Sequence, residues 1–538
     1  MRKIEHFFIL GATLTTICVT GAYIYKQFNI TNDKITHSFP ESKFGDFLAA
    51  QHAIYVNDFD NAARFTTNLK DTDVSVVQNT VFLSDFLNAR MPIDIKLLKN
   101  EKSMPAHLMY DAYLIKNNEW KTLHNRHKND EFALGAPLRI WSAIANNWRT
   151  NTLKFIEKLP TNPSWKNFVR GQIYAELCDF EQAAKNFANV DITFINLNDY
   201  LYMMSFYNHA NMADKAEVLK KQFTSLPGGM FMKDDNKIPD WSLYKGYANQ
   251  LAFSLIQTIS HTKAMMYSDL SVLLLRFAQI TSPQLAATND TTTYYSGLFF
   301  YNNKGNYRDT FLKIKPESPF YPFAMFKIAD KDNDIEILEK LLDKYPLFVP
   351  AITKTVALHT KNGNKRAALR IINRALKNHD LDESGRAFLL KNRANLYYIF
   401  DDIKKAQKDL HIAAETLIMD PDVILLQAKI WAAQDRELDN AYDYAMSLVT
   451  KNPSDILAWD ALGRVVTVRE GSLATLDLLE RVGEVSETCS SLFEQLGDIY
   501  TTNKEIDRAI QAYKRAIDLS DDGLVIIPKI ERKLRNLK

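Results

Sequence analysis

The chain has 538 residues, of which 46% are apolar and 24% charged, enough for a packed core and not the make-up of a disordered chain. Glycine and proline number 17 each, about 3% apiece against a usual ~7% and ~5%, which excludes collagen-like and low-complexity sequences and disfavours a turn-rich β architecture. Lysine plus arginine total 66 against 64 aspartate plus glutamate, so a net charge of +2 gives no global field to draw the chain onto nucleic acid.

The first element is apolar. Arg2 and Lys3 precede an uncharged run from Phe7 to Tyr25, and a helix of that length spans about 28 Å, close to the ~30 Å of bilayer hydrocarbon. Basic residues lie on its amino side and only Lys26 follows closely, so the amino terminus is expected to stay in the cytoplasm while the body is exported. Residues 1–25 therefore read as a signal-anchor or a signal peptide. Cleavage near Val19 and Gly21, or Thr20 and Ala22, is the second option. Residues 26–43 read as a polar tether. Cys18 lies in the apolar run, and Cys178 and Cys489 are far apart, which excludes a disulfide framework or a paired Cys-x-x-Cys zinc site. The latter two read as small helix-packing residues.

Beyond the tether, small and aromatic residues recur at helical spacing. Ala50, Ala53, Phe59 and Ala62 form one set; Gly171, Tyr174, Phe180, Ala183 and Phe187 form another. The stretch 226–240 holds Pro227, Gly228, Gly229 and Pro239, stops helices and carries no period, so it divides an N-terminal arc, 44–225, from a C-terminal arc, 241–538. Asn289, Asp290 and the threonines after them read as an exposed loop. The run Asp330, Asp332, Asp334, Glu336 has the look of a calcium loop but lacks the glycine and the closing glutamate, and reads as a polar turn. The clearest repeats fill 347–520. Ala368 and Ala375 mark one unit, Ala394, Tyr397, Ala406, Leu410 and Ala413 the next, then Ala428, Trp431, Ala441, Ala445 and Leu448 with one extra residue at the turn. Trp459, Leu462, Gly463 and Val466 open another copy, and Phe493, Leu496, Gly497, Tyr500, Ala509, Tyr513 and Ala516 complete the series. With Phe493 as position 4, small residues fall at positions 8 and 20, where two antiparallel helices would approach most closely, and the repeat is about 34 residues long.

These segments resemble tetratricopeptide repeats. AAQHAIYVNDFDNAARF at 49–65, GQIYAELCDFEQAAKNF at 171–187 and LGDIYTTNKEIDRAIQAYKRAIDLS at 496–520 look like the exported tetratricopeptide-repeat proteins of alphaproteobacteria. The resemblance implies an all-α fold, an α-solenoid of helix-turn-helix repeats behind an N-terminal membrane segment, with no established catalytic residues. It implies a place at the bacterial inner membrane with the body in the periplasm, or a soluble periplasmic body after cleavage.

A solenoid of this kind lines its concave face with the first helix of each hairpin. Positions 2, 5, 9, 12 and 13 of the unit around Ala394 are Phe388, Lys391, Asn395, Tyr398 and Ile399. Lys391 and Asn395, one turn apart, can share a carboxylate. A complete clamp needs basic residues from a third helix, where positions 2 and 6 are Leu457 and Ala461 and only Arg464 is near. Lys391, Asn395, Tyr398, Lys429 and Arg464 are thus the candidate peptide-binding residues, with solvated polar side chains as the plainer reading. His124 and His127 could form a metal pair but have no completing ligand, and His359 occupies a packing position. Glu41–Ser42, Glu317–Ser318 and Glu383–Ser384 resemble the acid of envelope muramidases without the glycine-rich segment that should follow, and no phosphate loop or nucleophile elbow is present. The basic cluster Lys529, Arg532, Lys533, Arg535, Lys538 reads as a terminal cap. The expected function is a non-enzymatic envelope scaffold that binds a protein or peptide in its groove, without cofactor, metal, nucleic acid or small-molecule substrate. The alternatives are a cytoplasm-facing assembly adaptor and a cell-wall hydrolase with divergent catalytic residues.

Overall fold

The structure, a computed structural model, describes residues 41–72, 74–91, 104–130, 135–224, 232, 237–262, 269–288, 290–303, 305–486 and 488–537. The apolar run 7–25 lies outside these residues. Among the described residues all regular structure is helical, and none of these helices is long and apolar enough to cross a membrane. The chain forms two compact units, Met1–Ile328 and Ala329–Lys538.

The first unit contains α1 (Glu41–Tyr55), α2 (Phe59–Thr66), α3 (Ser75–Leu87), α4 (Met104–Lys116), α5 (Trp120–His127), α6 (Gly135–Ala145), α7 (Arg149–Lys158), α8 (Pro163–Glu176) and α9 (Phe180–Ala188). It continues with α10 (Leu197–His209), α11 (Ala213–Thr224), α12 (Tyr247–His261), α13 (Asp269–Thr281), α14 (Pro283–Thr288), α15 (Thr291–Asn302) and α16 (Tyr307–Leu312); the division between the units falls within α17 (Tyr321–Asp332). Its core is aromatic. Phe168 stacks on Phe253 at 6.2 Å, and Phe187, Tyr202, Phe206, Trp241 and Tyr244 fill the surrounding space.

Two sequence expectations change here. Helices on both sides of 226–240 share this core: the Tyr202 hydroxyl donates to Gln250 Oε1 at 2.8 Å, and the Gly246 amide donates to Glu176 at 2.9 Å. A helix-stopping segment breaks the backbone period without separating the apolar faces that flank it, and the compact units divide after Ile328. The threonines after Asp290 are not an exposed loop. Thr291 and Thr292 are buried at the start of α15, where the Thr291 hydroxyl donates to Asn198 Oδ1 at 3.2 Å.

The second unit is more regular. It consists of α18 (Ile335–Lys344), α19 (Val349–Lys361), α20 (Lys365–Leu376), α21 (Glu383–Ile399), α22 (Ile403–Thr416), α23 (Pro421–Ala433), α24 (Leu438–Lys451), α25 (Ile456–Glu470), α26 (Ser472–Val485), α27 (Ser490–Thr502), α28 (Ile506–Asp518) and α29 (Ile527–Asn536). From α19 onward they pair as antiparallel hairpins. Starts are stated by sequence: Asp382, Asp420 and Asp455 cap α21, α23 and α25 through their carboxylates, and Pro421 occupies the first turn of α23. Hairpin turns share one device, a residue with left-handed backbone: Asn57, Asn118, Asn147, Cys178, Asn211, Asn333, Gly363, Asp401 and Lys504 all have φ between 52° and 75°. The α23–α24 turn, with its extra residue, has two, Asp435 and Glu437. Cys178 accordingly is an exposed turn residue rather than a helix-packing one, whereas Cys489 is buried; both are free thiols.

Within a hairpin the two helices meet through a small residue at position 8 and a large one sixteen residues later. A Cβ on Gly463 would lie 2.7 Å from Leu479, and one on Gly497 would lie 2.5 Å from the ring of Tyr513. Only glycine allows that approach, and Phe187 over Gly171 repeats it in the first unit.

Candidate binding cavity

The candidate site lies in the second unit, on the face lined by the first helix of each hairpin. Repetition of the 34-residue unit brings equivalent positions into rows. Position 9 contributes Asn395, Lys429, Arg464 and Asp498 from α21, α23, α25 and α27, all lining one cavity of about 380 Å³. Positions 12 and 13 of the first three of these helices add Tyr398 and Ile399, Ala432 and Ala433, Thr467 and Val468. The facing wall is the segment 524–529 at the start of α29.

Four of the five residues singled out by sequence, Asn395, Tyr398, Lys429 and Arg464, meet at this cavity. Lys391 does not line it. Its ammonium is buried and bonds Asp420 at 3.2 Å and Asp422 at 2.8 Å, clasping α21 to the start of α23. The reason lies in the following hairpin: Asp420 stands at the N-cap of α23, and α23 packs beside α21, so the nearest cation is drawn to that end. Lys391 and Asn395 therefore do not present a shared carboxylate site.

The same clasp recurs at the next interface. Asp460, fully buried on α25, takes Lys429 at 2.5 Å and has Arg464 Nε at 3.4 Å, and its Oδ1 accepts the Ser491 hydroxyl of α27 at 2.8 Å. Arg464 Nη2 donates to Ser491 Oγ at 2.8 Å. Burial alone would raise the Asp460 carboxyl, but the two cations beside it outweigh that and hold it at about 2. Burial would likewise lower Lys429, and Asp460 keeps it charged and raised instead. Two cations against one carboxylate leave an excess positive charge at this point. The next step along the row offsets it, because Glu494 and Asp498 share Lys533 of α29 at 2.8 and 2.6 Å. Arg464 Nε and Gln495 Oε1, both at the cavity, have no hydrogen-bond partner. The lining thus combines both charge signs with unused donors and acceptors, suited to a polar segment and not to a purely apolar ligand.

The two histidines turn to different partners. His127 lies between Asp111 Oδ2 at 2.9 Å and Asp130 Oδ2 at 2.8 Å, while His124 meets the Ser142 hydroxyl at 3.1 Å and the edge of Trp148. Among the described residues no cluster of three or more histidine, cysteine or acidic side chains could hold a metal ion. His359 is buried with Nε2 at 3.2 Å from Glu339. The acidic run is used piecemeal: Asp334 caps α18, Glu336 pairs with Lys340, and Asp330 pairs with Lys354. Of the muramidase-like pairs, Glu383 lies in the first turn of α21 after its Asp382 cap, and Ser318 is buried, accepting from the Phe320 amide.

The array of hairpins, its period and its small-residue contacts define the fold, an all-helical repeat array that resembles a tetratricopeptide solenoid. Solved structures with which it aligns include a tetratricopeptide repeat protein from Parabacteroides merdae, at 16% identity over 46% of this chain and 98% of the other, with a TM-score of 0.34. The Cut9–Hcn1 hetero-tetramer of the APC/C aligns at 12% identity over 93% and 97% of the two chains, TM-score 0.34, and yeast Tom70 at 12% over 92% and 96%, TM-score 0.26. No protein-family model and no curated protein sequence matches the chain.

Proposed function

We propose that this protein is a non-catalytic scaffold of a bacterial cell envelope, held at the inner membrane through residues 7–25, with its helical body in the periplasm. Its work is to bind a segment of a partner protein on the inner face of the second unit. The observation that supports this reading is the row Asn395, Lys429, Arg464, Asp498: one helical position repeated through four hairpins and opening on a single cavity. Such a row offers donors and acceptors at regular intervals to a peptide, and makes or breaks no bond. Lys429 and Arg464 also hold neighbouring hairpins together, so the recognition groups left at the cavity are Asn395 and the Tyr398 hydroxyl.

Ala433 is exposed at the cavity, so Ala433→Trp fills the space without disturbing a clasp. Partner recovery after crosslinking in envelope fractions should fall with Ala433→Trp while helical circular dichroism is unchanged. Undiminished recovery would remove the cavity as the binding face. Reporter fusions after Lys43 and after Lys538, active only outside the cytoplasm, test the placement; silence at both would favour a cytoplasm-facing body.

A further inference from the structure

One wall of the half-open cavity is built by contacts between the last and first hairpins of the second unit. Residues 520–529 follow α28, and instead of leaving the array they meet the ends of α19 and α21. Asp521 Oδ1 pairs with the Lys361 ammonium, and its Oδ2 accepts from Asn333 Nδ2 at 2.9 Å. Gly523, with φ of +71°, lies so near α19 that a Cβ there would be 2.5 Å from Ala357 Cα. Ile526 and Pro528 come up to Gly363, and the Lys529 ammonium reaches Asp401 at 3.2 Å. These contacts join residues 128 to 188 positions apart. The wall they create is the segment 524–529 that faces Asn395, Lys429 and Arg464.

We infer that residues 520–529 are a latch, which closes the inner face of the second unit onto itself and must release before a partner segment can lie along the row. The ion pairs of the latch are at its rim. Asp521 is 54% and Asp401 77% exposed at the side chain, so each pair is weak and sensitive to salt. Between them the segment is anchored on the last hairpin: Val525 is buried there, as is Ile530 just beyond, and Asp522 accepts from the Ser490 amide and hydroxyl at 2.7 and 2.6 Å. The contacts that reach across to the first hairpins thus depend on screened ion pairs at both ends of the segment, Asp521 and Lys529, and these are the ones arranged to open. This inference rests on the binding reading above for its purpose, though not for its test.

The test is access to the cavity in the full chain, without any partner. Thr467→Cys places a thiol on the cavity wall in a background where Cys18 and Cys178 are serine, leaving only the buried Cys489. The rate of maleimide labelling is then compared between the latched chain, Asp521→Lys with Lys529→Glu, and the charge swap Lys361→Asp with Asp521→Lys. The broken latch should label about three- to tenfold faster, the scale of losing two rim ion pairs. The charge swap should return the rate toward that of the parent, and raising salt should speed the parent alone. If Asp521→Lys disturbs the helical signal, Asp521→Asn is read in the same way. Equal rates in the parent and broken-latch chains with the helices intact would overturn the inference, as would a charge swap no slower than the broken latch. Faster labelling with no partner recovered would instead count against the binding reading and leave the latch standing.

Discussion

Both units build helical hairpins, with shorter second helices in the first unit, and they fill the space between helices differently. In the first, Phe168, Phe187, Tyr202, Phe206, Trp241 and Phe253 interlock in edge-to-face, tilted and stacked pairs, with centroids 4.4 to 6.2 Å apart. In the second, small residues such as Ala394, Ala428 and Ala461 let the helices approach, and charge clasps tie α21 to α23 and α23 to α25. Large rings can reach a common core from several positions along a helix, so aromatic packing relaxes the demand for a fixed residue at a fixed place. Close backbone approach tolerates small side chains only, at positions set by the helix geometry. The period consequently decays where rings do the packing and persists where alanine and glycine do.

That contrast can be broken from either side. In the second unit, Asp460→Asn should cost about 3–5 kcal/mol, because it leaves Lys429 and Arg464 buried without their counter-ion. Adding Lys429→Met should recover part of the loss in urea unfolding; a loss under ~1 kcal/mol would show that the clasp does not hold α23 to α25. In the first unit, Phe187→Ala should cost about 3–5 kcal/mol by leaving a cavity among four other rings.

Glycine separates the two packing modes more finely. Gly497→Ala drives a Cβ into Tyr513 and should cost about 1–3 kcal/mol. Gly45→Ala, on an open face of α1, should gain up to ~1 kcal/mol. Thermal denaturation of the pair decides whether close approach or helix propensity governs each glycine.

The pH dependence of the first unit has a worked sign. His261 Nε2 lies 2.5 Å from Asp199 Oδ2, and its ring stacks on Phe194. Burial alone would lower the imidazole, yet Asp199 outweighs it and the value rises above the usual 6.5. The folded state therefore favours the protonated form. Its contribution is complete below pH 6.5 and is lost as pH climbs through the raised value. His127, between two carboxylates, has the same sign. Melting temperatures from pH 5 to 9 should fall with pH more steeply for the parent than for His261→Gln; parallel curves would exclude the pair as a source of the dependence.

The smallest effect concerns the turns. Cys178 and Lys504 hold φ of 59° and 64°, where a side chain costs up to about 1–2 kcal/mol, so glycine at either should stabilise by no more than that. Asn118→Gly should gain less, since asparagine tolerates this conformation.

Those asparagines were a legible signal in the degenerate region. Asn118, Asn147, Asn211 and Asn333 each end the first helix of a hairpin whose apolar pattern is obscure, and asparagine between two amphipathic stretches is a turn residue with a physical cause. Gly297, close under Phe311, is a second overlooked mark of a hairpin, α15–α16. At the cavity, positions 9, 12 and 13 could be read from the repeat register. The diversion of Lys391 could not, because it depends on Asp420 and Asp422 of the following hairpin.

By itself the sequence determined the repeat length, the helical hairpin, its small-residue contacts in the second unit and the helix positions that face inward. All of these follow from local periodicity and side-chain size, which act within some thirty residues. Only tertiary structure decided which cations are spent on clasps, that 226–240 interrupts no core, and that residues 520–529 return to α19. Each depends on pairings across tens to hundreds of positions, where the small rotation between successive hairpins accumulates and no local pattern records the result.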